Sequence, residues 1–90
     1  MRIAYDEEKR RKTIKDRNLD FEDAPEIFAG FHFNQVDSRK DYGEVRNITI
    51  GLIGEIVVVV VWTQRDESRR IISMRKADKD ERGEYFQQLE

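Results

Sequence analysis

Ninety residues, of which 38% are hydrophobic and 40% charged, make one small domain (1–90) with room for a single core. The lack of cysteine excludes disulfides and thiolate zinc sites. A net charge of −2, from 17 Lys and Arg against 19 Asp and Glu, is low for a chain that grips nucleic acid.

The chain turns charged at once after Met1, so no secretory leader is expected. Ile3 to Tyr5 reads as a short strand. A highly charged first helix follows, with Asp6 placed to cap it, acids in its first turn and Asn18 suited to a left-handed end. Its apolar stripe is thin. Leu19 and Phe21 re-enter the core, and Phe21 to Phe28 reads as a second, shorter helix with Pro25 near its start.

From Gly30 the period changes to two. Phe31 and Phe33 alternate with His32 and Asn34, and residues 37–43 form a polar loop. Arg46 shares a face with Ile48 and Ile50, and Gly51 to Gly54 reads as a hairpin connection. Glu55 to Thr63 holds five consecutive valines and is expected to be the central strand, covered on both faces. This apolar run is too short to span a bilayer, so a cytoplasmic protein with no membrane segment is expected.

After a polar turn at Gln64 to Glu67, the segment Arg70 to Arg75 reads as a further strand. Alternation puts Ile71, Ser73 and Arg75 on one face, with Arg70, Ile72 and Met74 on the other. Asp78 and Glu81 give a capping-box start to a last helix whose apolar stripe is Tyr85, Phe86 and Leu89. Gly83 weakens that helix by about 1 kcal/mol relative to alanine. The expected fold is α+β: two N-terminal helices, a three- or four-stranded antiparallel sheet, and a C-terminal helix. With the helices on one sheet face, the other is left as a shallow concave site.

No metal-ligand spacing, Gly-rich phosphate loop or nucleophile elbow is present, and no cofactor is expected. Basic residues gather at Lys9 to Lys12 with Lys15 and Arg17, at Arg39, Lys40 and Arg46, and from Arg69 to Lys79. Arg, Lys, one His and several Tyr suffice for RNA cleavage without a metal, because the ribose 2′-hydroxyl supplies the nucleophile. Arg75, a cation at the end of a rigid strand, suits a phosphate, or it marks where the strand leaves the core. His32 either serves as acid or base or is satisfied by a loop carbonyl. Arg46 either reaches a cleft or snorkels at the strand's edge. The Lys9 to Lys12 run reads first as a solvated helix face, and Trp62 as core.

Several segments in order resemble the BrnT-type toxins: Asp6-x-x-Lys9, Phe21-Glu22-x-Ala24, Phe28, His32, and Asp37-Ser38-Arg39-x-Asp41-Tyr42-Gly43-Glu44-x-Arg46. After the valine strand come Arg70-Ile71-Ile72-Ser73-x-Arg75-Lys76-Ala77 and Glu81-Arg82-x-x-Tyr85. The resemblance implies a RelE-like fold and an endoribonuclease that cleaves cellular RNA, free or on the ribosome, and so blocks translation. It also implies a BrnA-type antitoxin as partner and admits a homo-oligomer or a heterotetramer with that antitoxin. Carried onto this chain, it makes Arg46 and Arg75 phosphate and transition-state residues, His32 and Lys9 acid–base candidates, and Tyr85 a positioning group. Where the family commonly has Lys-His-Gly after the first helix, this chain has Asp16, Arg17 and Asn18. That departure keeps a rival expectation open, a catalytically degenerate module of the same fold that mainly engages an antitoxin.

Overall fold

The structure, a computed structural model, describes residues 1–38, 41 and 43–90. The polar loop expected over 37–43 therefore lies partly outside the described residues, as do Arg39 and Lys40 of the basic cluster. The elements run β1 (Arg2–Ala4), α1 (Glu7–Arg17), a 3-10 turn (Phe21–Asp23), α2 (Ala24–Ala29), β2 (His32–Asp37), β3 (Arg46–Ile53), β4 (Ile56–Arg65), β5 (Ser68–Lys76) and α3 (Lys79–Leu89).

The strands form one five-stranded sheet in the order β1-β5-β4-β3-β2. Strands β2 to β5 pair antiparallel, while β1 lies parallel to β5 with Ile3 opposite Arg69. The sheet is thus mixed and five-stranded, where three or four antiparallel strands were expected. The short strand at the chain's start finds its partner more than sixty residues away, a pairing that no local pattern announces. The valine strand β4 is central, with Val57, Val58, Val59 and Val60 all buried.

The two faces carry separate cores. Val58, Val60, Ile71 and Met74 pack under Leu19, Phe21, Ala24 and Ile27 from the N-terminal half. Ile50, Val57 and Val59 pack on the other face against Ala77 and Tyr85. Helices therefore lie on both faces, which corrects the expectation that all pack on one. Of the α3 stripe only Tyr85 is buried, so α3 covers one end of its face and leaves the remainder open.

Gly51 is not part of a turn. It sits within β3, where a Cβ would come 2.7 Å from Ile27 Cγ2, so glycine lets α2 lie against the sheet. The turn itself is the pair Gly54-Glu55, with Gly54 at φ +60° in the first central position, as a type II′ hairpin requires.

One irregularity governs the site. Val61 pairs with Ser73, but the next residue, Trp62, pairs with Ile71, so Ile72 is an extra residue in β5. Simple alternation fails across this bulge. Ile71 and Met74, three apart, enter the same core, and Ile71 does not share the face of Ser73 and Arg75.

Candidate functional site

The part of the sheet that α3 leaves open holds a depression of about 410 Å³ lined by Gln35, Ile48, Val59, Val61, Ser73, Arg75 and Glu81. Arg75 stands at the end of β5, opposite Val59, and reaches the first turn of α3. Its two terminal nitrogens donate to the two carboxylate oxygens of Glu81 at 2.7 and 2.8 Å. Glu81 Oε1 also accepts the Asp78 backbone N–H at 2.8 Å, and the Asp78 side chain accepts the Glu81 N–H at 2.8 Å. The capping box that starts α3 is thus also the clamp on the strand-end arginine. The Arg75 guanidinium pulls the Glu81 carboxyl down to about 2; burial opposes this and the Asp78 N–H assists it.

Arg46 opens β3 on the same face, with the buried Asp37 as its register partner on β2. Because Ile50 lies level with Val59 and Arg75, Arg46 stands about 13 Å farther along the sheet at the usual strand rise. The bulge adds a third arginine. Ile71 faces the α1–α2 side, so Arg70 faces the open side, opposite Thr63. Plain alternation had placed Arg70 behind the sheet. Two consecutive isoleucines in a half-covered strand were the sequence signal that the period slips there. Arg69, now on the closed side, lies over the Phe28 and Trp62 rings at 4.1 and 4.9 Å. Trp62 packs against the core there, as its sequence context suggested.

Lys9 approaches from the sheet's edge. It lines a second cleft of about 290 Å³ between α1 and β5 with Lys12, Thr13, Asp16, Arg17, Ile72 and Ser73. Ser73 lines both hollows, so Lys9 and Arg75 flank one strand.

A family model described as the ribonuclease toxin, BrnT, of type II toxin-antitoxin systems matches residues 5–81, which include Lys9, Arg46, Arg70, Arg75 and Glu81. The chain belongs to the BrnT family. No curated protein matches it. Membership indicates a ribonuclease toxin of a type II toxin-antitoxin pair and implies an antitoxin as partner. Among the described residues no helix is long and apolar enough to cross a membrane.

The remaining two expected site residues of this BrnT chain have other partners. His32 begins β2 on the closed face, with Nδ1 2.8 Å from the Gly30 carbonyl oxygen and its ring edge-on to Phe28. Tyr85 is buried among Phe31, Phe33 and Phe86, and its hydroxyl donates to the Phe31 carbonyl at 2.9 Å. Burial pushes that hydroxyl's pKa up. Tyr85 also lies beyond the residues that the family match covers. Arg46, Arg70 and Arg75 thus share the open face, with Arg46 and Arg70 about 13 Å along the sheet from Arg75. Lys9 lies across β5 in the neighbouring cleft, Tyr85 is packed under α3 on the open face, and His32 is on the closed one.

Proposed function

We propose that this BrnT-family chain is a metal-independent endoribonuclease with a RelE-like fold, acting in the cytoplasm on cellular RNA, free or on the ribosome, and neutralised by a BrnA-like antitoxin. The observation that carries the reading is the Ile72 bulge, which turns Arg70 onto the open sheet face that also carries Arg46 and Arg75. Cations on rigid strands are pre-organised for a phosphodiester and for the extra charge of its transition state.

In this mechanism the ribose 2′-oxygen bonds to phosphorus as the bond to the 5′-oxygen breaks, which leaves a 2′,3′-cyclic phosphate and a 5′-hydroxyl. Solvent water takes the 2′ proton, and Lys9 donates a proton to the leaving oxygen. Arg75 and Arg46 stabilise the phosphorane, with Arg70 level with Arg46 across β4 at Thr63. Glu81, with a carboxyl pKa of about 2, is too weak a base for efficient proton abstraction, so its part is to hold Arg75. His32 and Tyr85 take structural parts, at the start of β2 and under α3. The exposed Phe31, Phe86 and Leu89 beside Tyr85 offer the antitoxin an apolar surface.

A second reading has one observation in its favour. Both terminal nitrogens of Arg75 are already engaged by Glu81, which suits a degenerate module whose open face serves partner binding alone. Induced expression of the native chain and of Arg75→Ala and Arg70→Ala at matched levels, with total RNA resolved, separates the two. Arrest and RNA cleavage that fall at least tenfold in both variants support the nuclease. Intact RNA and normal growth with a folded native chain support the degenerate module.

A further inference from the structure

The first helix is unusual in what it does not do. It buries no residue, so its contact with β5 is not explained by a shared core. Polar anchors hold it instead. Arg10 grips Asp20 at 2.8 and 3.1 Å, and Arg17 donates to the Met74 carbonyl at 2.8 Å, on the edge of β5 beyond the reach of β1.

Beside these anchors Lys9, Lys12, Thr13 and Asp16 fall at i, i+3, i+4 and i+7, one stripe facing the cleft. The Thr13 hydroxyl is spent on the Lys9 carbonyl at 2.7 Å. Arg10 and Arg11 pair with Glu7 on another side of the helix, whereas among the described residues Lys9 and Lys12 form no ion pair. On a chain of net charge −2 this is a local concentration of positive charge and not part of a general field. The floor of the cleft is Ile72, the bulged residue, and its far wall is Ser73, which also lines the Arg75 depression.

We propose that the α1–β5 cleft is a second RNA subsite, in which Lys12 holds a backbone phosphate next to the one at Arg75 and Ile72 supports the ribose between them. The inference rests on the ribonuclease reading above and adds the path of the substrate: one RNA strand crosses the edge of β5 at Ser73. The bulge then has two effects, since it turns Arg70 onto the open face and turns Ile72 into the cleft.

The test uses a labelled, uncleavable 2′-O-methyl oligoribonucleotide of about ten nucleotides, with binding followed by fluorescence anisotropy across a range of salt. Lys12→Glu is expected to weaken binding about tenfold and to reduce the slope of log K against log salt by about 0.7, one phosphate contact on a single strand. Lys12→Arg should restore both. Lys15→Glu makes the same charge change without lining the cleft and should retain the native slope. Equal losses for Lys12→Glu and Lys15→Glu would mean a diffuse field and overturn the subsite. Native RNA binding by Lys12→Glu with loss of antitoxin binding would overturn it in favour of a protein surface. A native chain that binds no oligonucleotide would remove the ribonuclease reading as well. Cleavage lost in Arg75→Ala, with native RNA binding in Lys12→Glu, would remove the subsite alone.

Discussion

Glu81 is where one side chain joins helix to site. Its carboxyl, ordinarily near 4.5, is drawn to about 2 in the folded chain by Arg75. A depressed folded pKa means that the stabilisation is complete above the unfolded value and is lost as pH falls through the folded one. The clamp should therefore hold at neutral pH and fade between about 4.5 and 2. Glu81→Gln keeps an N3 side chain able to complete the capping box while removing the charge. Thermal unfolding followed against pH should show a shallower acid dependence for this variant over that window; a profile that overlays the native one would mean that the pair contributes nothing. At Gly51 the added methyl of alanine meets Ile27 at 2.7 Å, and overpacking of this kind costs about 1–3 kcal/mol in urea unfolding. Individual cations were legible in the sequence, Arg75 and Arg46 among them. Arg70 was not, because its face depends on a single inserted residue upstream of Arg75.

Among the elements, α1 and α3 are attached in opposite ways. The first is pinned by charged hydrogen bonds and buries nothing; the last drives one aromatic into the core. Amide exchange should therefore be fastest in α1 and slow in β3 to β5, where the buried ladder lies. Arg10→Ala should speed α1 exchange without touching the strands, and uniform acceleration would show α1 to be part of the global unit. For α3, Tyr85→Ala should cost about 3–5 kcal/mol by chemical denaturation, whereas Tyr85→Phe, which loses only the bond to Phe31, should cost about 1 kcal/mol. The caps of both helices were readable from Asp6, Asn18, Asp78 and Glu81, since these signals are local. Which face α3 takes was not, because the pattern of its stripe is the same on either side of a sheet.

For the molecule as a whole, the alternating segments gave β2, β3 and β4 with a central valine strand, and the period-two signal is robust for half-buried strands. What escaped was long in range. The short first strand was expected but its parallel pairing with distant β5 was not, and the two-faced placement of helices follows from how much apolar area each leaves uncovered. The candidate site inherits this. Its cations come from β3, β5 and α1, so their arrangement around the sheet is a property of topology and of one bulge, and no segment contains it.

The double duty of Glu81 gives the pair a direction that cannot be inverted. An ordinary ion pair can exchange its signs and survive, each partner inheriting the other's role. Here an arginine at position 81 would meet a glutamate at position 75 but could not accept the Asp78 N–H, and a guanidinium would sit against the positive end of the helix. The swapped pair restores the attraction and breaks the helix start. Along any line of descent, the arginine at 75 and the acid at 81 are therefore expected to be kept or lost together and never reversed.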